Sequence, residues 1–492
     1  MPLVLQSLLL ACVQQHTLDL SGEKEVVADP TPQTDSLPGE AVEHVNLIDA
    51  NPFNPDASYV WQIDVSDDMM VLMNANGYSG WYGDVDTHIQ TWAETITVST
   101  VNGSDSVVFE QPEMGIGGEM NFCELPCKAQ LIVDLNEFTD DQTMGGYDNV
   151  KFGNMLYGGP YAEYFLYNAF FPSQGITTPS AAYAWVEPSY LYGQRLDYLV
   201  MEMTKEDFLT NRYGEGGWLM AYEGYGDIGY GSGYYPTCQA GDCDDAVLDE
   251  LSEDIVAALG SVTMLDFLDR RYLGGHEQFF NYCAAEKMVG QWDGYCDAAH
   301  NYTMVVLPNA ENPDQPIIDL VPHSLDLTLN PDWSWDYGVF GSGTIISYCG
   351  IDADCSVAYV DHLEDKAMEW DANVDVYEAQ IEGQNEYLTS IDMQYGDYES
   401  WKRANFSFIE GRADTILTTI GYWRDPCSEP EDTGWWMGGG GWDTGGYDPC
   451  APQDTGGGFD TGSVDTGSGG DTGAPIDTGD VIIDTATADT GA

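Results

Sequence analysis

The apolar period of this chain changes once along its length, and that change limits what it can fold into. Up to about residue 203 the pattern is that of strands. "YVWQIDVS" (59–66), "ETITVSTV" (94–101) and "AQLIVDL" (129–135) alternate or run apolar, and "AAYAWVE" (181–187) and "LDYLVMEM" (196–203) follow suit. "PYAEYFLYNAFF" (160–171) has helical length and an aromatic face, and "KEDFLTNRYG" (205–214) reads as a short helix ended by Gly214. Residues 215–245 are rich in Gly and Tyr and mark a lobe boundary. Helical spacing then dominates: "AVLDELSEDIVAALG" (246–260) puts Val247, Leu248, Leu251, Ile255 and Leu259 on one face. "TMLDFLDRRYL" and "HEQFFNYCAAEKMVG" continue it, and further helices are expected over 356–371, 374–392 and 398–421. Two strands, 303–307 and 317–321, interrupt the helical half. With 492 residues the chain exceeds a single core. The order predicts an α+β fold, with a β-rich N-lobe over 45–235 and a helical C-lobe over 236–425.

Charge removes whole classes of partner. There are 83 acidic side chains against 14 basic ones, a net charge of −69. Non-specific binding to nucleic acid or to an anionic membrane surface needs Lys and Arg, so both are excluded. Such a surface suits a cation-rich medium, where screening reduces self-repulsion, and reads equally as a plain soluble acidic surface.

The ends of the chain differ from its middle. "MPLVLQSLLLACVQQ" has an apolar stretch far short of the roughly 20 residues that span a bilayer. It fits a signal h-region over 1–11, and "LLAC" (9–12) resembles a lipoprotein processing box with Cys12 as the lipidated residue. A plain secretory signal is the alternative, and the usual basic n-region is missing. Residues 12–44, with Pro30, Pro32 and Pro38, read as a disordered tether. From 426 to 492 the composition collapses into a low-complexity tail. Asp-Thr-Gly occurs eight times, beginning at Asp432, Asp443, Asp454, Asp460, Asp465, Asp471, Asp477 and Asp489. "FDTGS" (459–463) copies the aspartic-protease signature, but that chemistry needs two carboxylates in a packed site, and this stretch has almost nothing apolar to build one. Nor does the spacing form a regular calcium loop.

Setting Cys12 aside, ten cysteines fall into five close pairs: Cys123 with Cys127, Cys238 with Cys243, Cys283 with Cys296, Cys349 with Cys355, and Cys427 with Cys450. Local disulfides in an oxidising compartment are the expected use. Zinc is the rival, weakened by the distance between pairs and the few His nearby.

Residues 292–307, "WDGYCDAAHNYTMVVL", set a carboxylate and an amide on either side of a loop that leads into a strand. Phosphoryl transfer uses such parts. One carboxylate positions the attacking hydroxyl, an amide and a second carboxylate hold Mg²⁺ against the phosphates, and cations complete the cradle. Asp293 and Asn301 supply the first two, and "IIDLVPHSLDLTL" (317–329) can supply the second carboxylate. Turn geometry alone also places Asp and Asn in loops.

The order of segments resembles the CotH-like spore-coat kinases, an atypical protein-kinase-like family, from roughly 58 to 420. "KAQLIVDLNEF" and "GGYDNVKFGNM" are similar to its Lys-led strand and following "G-x-x-K-x-x-N". "PYAEYFLYNAFFPSQGITTPSAAYAWVE" resembles its helix, Gly turn and strand, and "LDYLVMEMTKEDFL" its "L-x-E-x-x-D-x-x-F-L". "WDGYCDAAHNYTMVV" with "VPHSLDLTL" resembles its "D-G-Y…N-N-Y" and "P-W-D-x-D", and "ANFSFIEGRADTIL" its closing helix. The resemblance implies a two-lobed kinase-like fold using ATP and Mg (or Mn) to phosphorylate an exported or surface protein, the chain itself included. It implies that Asp293 orients the acceptor hydroxyl, that Asn301 and Asp326 bind metal, and that Lys128, Lys151 and Glu202 serve the nucleotide. The sequence departs from the family at two places: the first Asp of "P-W-D-x-D" falls on Ser324, and His323 takes the Trp position. A hydroxyl does not replace a carboxylate's charge at a divalent ion. On a strand Asp326 would share the face of Ser324, so a slipped register lets it substitute. Where many relatives carry Lys after "G-x-L-Y", this chain has "WLMAYEGYG" with Glu223.

Each of these residues also has a plainer reading. Lys128 and Lys151 can be surface cations, Glu202 half of a structural ion pair, and His300 and His323 hydrogen-bonded fold residues. "NYT" (301–303) and "NFS" (405–407) match the glycosylation sequon by chance in a bacterial-type lipoprotein. The alternative to a kinase is a catalytically degenerate binding or adhesion module on the same scaffold, held in the envelope by a lipid anchor.

Overall fold

Alternation along β1 (Tyr59–Asp64) sends Trp61 and Ile63 to one side and Val60 to the other, and both sides are covered. The strand is therefore interior. In this computed structural model it lies within an eight-stranded sheet with β2 (Thr95–Thr100), β3 (Ser106–Glu110), β4 (Glu113–Gly117), β5 (Gln130–Asp134), β6 (Asn149–Gly153), β7 (Ala181–Pro188) and β8 (Leu196–Glu202). The order is β3-β2-β1-β7-β8-β6-β5-β4. Only β1 and β7 pair in parallel; the other neighbours are antiparallel. The structure describes residues 46–55, 58–81, 91–117, 123–155, 160–221, 227–228, 237–261, 263–309, 312, 315–330, 338–391, 393 and 398–425. The expectations for Cys12, the tether and the tail lie outside these residues. So does the expected fifth disulfide, since neither Cys427 nor Cys450 is among them.

The outer face of the sheet buries Trp61, Ile96, Val98, Leu131, Val150, Phe152 and Val200, with Met69 and Met73 of helix α1 (Asp67–Trp81). The inner face presents Val60, Tyr183, Leu199 and Met201 to a helix that starts as α2 (Pro160–Phe165). That helix runs on through a π turn, Leu166–Phe170, to a last turn, Phe171–Ser173. Aromatic residues recur along it, and Tyr164 stacks on Tyr183 with centroids 4.7 Å apart. After β8 comes α3 (Glu206–Tyr213), and then the pairing changes partners. β9 (Trp218–Ala221) and β10 (Thr237–Ala240) join β11 (Tyr302–Leu307) and β12 (Ile317–Pro322) in a second sheet, ordered β10-β9-β11-β12. By pairing, the second lobe begins before Trp218 rather than at 236.

The second lobe is helical: α4 (Asp245–Ser261), α5 (Met264–Arg271), α6 (Gly275–Val289), the single turn α7 (Tyr295–Ala298), α8 (Thr344–Ile351), α9 (Ala353–Ser390) and α10 (Tyr398–Arg424). The expected helices over 356–371 and 374–392 are one 38-residue helix, α9. The polar break at Asn373 is absorbed because its side-chain amide donates to the Glu369 carbonyl, 2.7 Å away on the preceding turn. Asp352 starts α9, accepting from the backbone N–H groups of Asp354 and Cys355 at 3.0 and 2.9 Å. α9 crosses the lobe boundary: Tyr387 bonds Ser58 at 3.0 Å, and Tyr377 packs on Phe165 and Phe170. One core thus runs from the inner face of the first sheet into the helices. Among the described residues four disulfides form, Cys123–Cys127, Cys238–Cys243, Cys283–Cys296 and Cys349–Cys355, each between sequence neighbours. Among the described residues no helix is long and apolar enough to cross a membrane.

Candidate functional site

The β11–β12 hairpin assembles the site. Tyr302 pairs with Pro322 at one end and Leu307 with Ile317 at the other. The segment that enters β11 and the segment that leaves β12 therefore emerge side by side. The first carries Asp293 and Asn301, the second Ser324 and Asp326. Hydrogen bonds tie them together. His323 N–H donates to the Asn301 carbonyl at 3.2 Å, and the Gln291 amide reaches the Ser324 carbonyl at 3.2 Å. Asn301 and Ser324 both adopt left-handed backbone, φ 47° and 53°, which turns the chain sharply at each strand end.

Asp293 is 6 % exposed. Its Oδ2 accepts from the Asn301 side-chain amide at 2.7 Å, while Oδ1, among the described residues, has no hydrogen-bond partner. Burial raises its pKa to about 7, and the nearby Asp326 carboxylate pushes the same way; the Asn301 bond opposes them. Asp326 lies in a short 3₁₀ turn, Leu325–Leu327, and is half-buried. The strand alternation expected for Ser324 and Asp326 does not hold, because the backbone leaves β12 through a left-handed residue into that turn. Ser324 Oγ is hydrogen-bonded to His323 Nδ1 at 3.2 Å, and Asp326 is the carboxylate that Asp293 feels.

The first lobe adds two charges. Lys151 on β6 pairs across to Met201 of β8 and shares its inner face. Glu163 of α2 sits below, 5 % exposed, its Oε2 only 3.8 Å from where a Cβ on Gly153 would stand. That oxygen is also without a partner among the described residues. Burial lifts the Glu163 carboxyl to about 8; Asp326 adds to the rise and Lys151 opposes it. His323 is held neutral, pushed down to about 3 by burial, then by Lys151 and His300. The Tyr167 hydroxyl, in the π turn, lies against the Ser324 and Leu325 backbone N–H groups, and burial, Glu163 and Asp326 raise its pKa. Lys151, Glu163 and Tyr167 from one lobe thus meet Asp293, Asn301, His323 and Asp326 from the other.

Two expected residues are elsewhere. Glu202 falls opposite Val150, so it faces the outer core rather than the Lys151 side. It accepts from Arg212 at 2.7 Å and from Ser180 N–H at 2.9 Å, a buried structural pair. Lys128 lies 3.6 Å from Asp197 and 5.3 Å from the Tyr198 ring centroid, again with the outer core. Burial lowers its pKa and Asp197 opposes the shift. Neither sequon is presented: Asn301 holds Asp293, Thr303 is wholly buried, and Asn405 is buried. The remaining expected residues, Cys12 for lipidation and Cys427 and Cys450 for a disulfide, fall outside the described residues.

The part sequence reasoning missed is Glu163. Its signal was one acid in an otherwise aromatic helix segment, which must either reach solvent or meet a partner. Also missed was the support beneath Asp293. α6 is buried nearly all round, yet carries Glu286 and Lys287. Glu286 accepts from the backbone N–H groups of Tyr295 and Cys296 at 3.1 and 2.8 Å, and Lys287 forms a buried ion pair with Asp297. Gly294 has no room for a side chain, since a Cβ there would come 2.5 Å from Glu286 Oε1.

Among the described residues no three His, Cys, Asp or Glu side chains converge as a metal cage. Mg²⁺ does not need one: it takes one or two carboxylates plus water and substrate phosphates. Two buried carboxyl oxygens that lack hydrogen-bond donors among the described residues, on Asp293 and Glu163 near Asp326, suit a cationic or metal-bearing occupant. No protein-family model matches the chain, and no curated protein is detectably similar to it in sequence.

Proposed function

We propose that the junction of the two lobes around Asp293 is a phosphoryl-transfer site and that the chain is a diverged CotH-like protein kinase. The observation that carries this reading is the meeting of Asp293, Asn301 and Asp326 at one hairpin end, against Lys151 and Glu163 of the other lobe. ATP would supply the transferred group, and Mg²⁺ or Mn²⁺ would neutralise its phosphates. Asn301 and Asp326 are the residues to hold the metal. Lys151 is the cation for the phosphates, and Glu163 orients it. Asp293 accepts the proton of the acceptor hydroxyl. A carboxyl near 7, braced by an amide, is matched to that task at neutral pH. The preformed geometry lets these groups act without reorganising.

The acceptor is an exported or cell-surface protein, the chain itself included. Four disulfides suit an oxidising compartment, and acylation at Cys12 would tie the chain to a membrane. The balance of −69 leaves nucleic acid out. One observation favours a second reading, a binding module without catalysis. Ser324 stands where the family carries a metal-binding Asp, which leaves Asp326 as the only carboxylate on that turn.

The test uses the purified full chain with γ-labelled ATP and Mg²⁺ or Mn²⁺. Label should enter protein, and Asp293→Ala should cut the rate by roughly a thousandfold or more. A wild type that transfers no label in either metal favours the binding module.

A further inference from the structure

Three residues on one face of α6, spaced i, i+3 and i+4, hold three consecutive residues just after Asp293. Cys283 is joined to Cys296 by a disulfide. Glu286 Oε1 and Oε2 accept separately from the N–H groups of Tyr295 and Cys296. Lys287 pairs with Asp297 and also donates to the Gly338 carbonyl at 2.7 Å. Cys283, Glu286, Lys287, Cys296 and Asp297 are all at most 2 % exposed. Asp293 is separated from this grip only by Gly294, whose backbone lies directly on Glu286.

We infer that Cys283, Glu286 and Lys287 are positioning residues for Asp293; the inference rests on the proton-accepting role given to Asp293 above. A buried ion pair and a buried acid are poor devices for stability alone, because desolvation offsets most of their attraction. They are good devices for geometry. A charged pair, two directional hydrogen bonds and a covalent link on three successive residues leave the turn one position. That position delivers the carboxylate to Asn301. A displacement of about 1 Å there would cost on the order of a hundredfold in rate.

The experiment compares the full chain with four variants: Cys283→Ser together with Cys296→Ser, Glu286→Ala, Glu286→Gln, and Lys287→Met together with Asp297→Leu. The last pair is changed jointly because either change alone strands a buried charge. Cys123→Ser with Cys127→Ser, in the first lobe, is the control for losing a disulfide as such. Amide hydrogen exchange over residues 290–301 and label transfer are both measured. Exchange should rise at least tenfold in the four α6 variants and stay unchanged in the control. The turnover number should fall at least tenfold with KM for the nucleotide within twofold, and Glu286→Gln, which keeps one acceptor oxygen, should fall between Glu286→Ala and wild type. Unchanged exchange in the serine pair and in Glu286→Ala overturns the inference even in an active kinase. A wild type that transfers nothing, while exchange responds as stated, removes the kinase reading and leaves the clamp standing.

Discussion

At the scale of residues, the site is a set of acids held out of water. Glu163 is the plainest case. Its folded pKa, about 8, exceeds the ordinary 4.5, so the folded state binds its proton more tightly than the unfolded state does. Its contribution to stability is whole below about pH 4.5 and is lost as pH rises through 8. Glu163→Gln, which stays neutral, should therefore raise Tm over wild type at pH 8.5 and leave it nearly unchanged at pH 5, as scanning calorimetry would read. Assayed at pH 8.5, where Glu163 is largely ionised, the same change should slow label transfer by roughly tenfold or more, since Lys151 then loses the carboxylate that orients it. That Asp293, Asn301 and Asp326 come together at one hairpin end was legible only from the order of segments, since an Asp and an Asn in a loop are ordinary turn residues. Glu163 was not, because an acid inside "PYAEYFLYNAFF" does not reveal which side of the helix it takes. Glu202 was misplaced because a one-residue difference on a strand sends the side chain to the other face of the sheet; Lys128 precedes β5, and no strand period sets its side, which is fixed by Asp197 and Tyr198.

At the scale of elements, the hairpin and the long helix do the assembling. The antiparallel pairing of β11 and β12 makes two segments some twenty residues apart in sequence into neighbours. α9, about 57 Å long at the standard rise, ties the helical lobe to the first sheet. Its start depends on Asp352, which caps α9 and also accepts from Met264 N–H at 2.9 Å at the start of α5. Asp352→Ala should destabilise the fold by about 1–2 kcal/mol, and Asp352→Asn by much less, measured by urea unfolding. Strand and helix periods exposed most of these elements. β3, β4 and β9 are four or five residues long and too short to show a period, and α1 has Asn and Gly in its middle, which lower its helical signal.

At the scale of the molecule, the pH response should run opposite to that of proteins stabilised by ionised carboxylates. Besides Glu163, burial lifts Glu286 to about 8, Asp293 to about 7, and Asp207, Asp227 and Asp319 each to about 6. All have folded pKa values above the unfolded ones, so each contributes most at low pH and loses its contribution as pH rises between about 4 and 8. The net charge of −69 acts in the same direction, since protonation relieves repulsion. Tm should rise as pH is lowered from 8 to 5.5, and at pH 8 it should rise with added NaCl as the Debye length shrinks. A flat or reversed pH trend would show that these acids are ionised and paired in the folded chain. The two-lobed α+β organisation was legible from the order of periods. Its lobe boundary was not, because β9 is assigned by its pairing with β11, which no local pattern announces.

If groups from both lobes hold one metal–nucleotide pair, isothermal titration of the full chain with ATP, with and without Mg²⁺, will read it. Binding should be saturable, need the metal, take one nucleotide per chain, and weaken at least tenfold with Asp326→Asn and with Lys151→Met. Binding that ignores the metal, or that survives both substitutions unchanged, would contradict it.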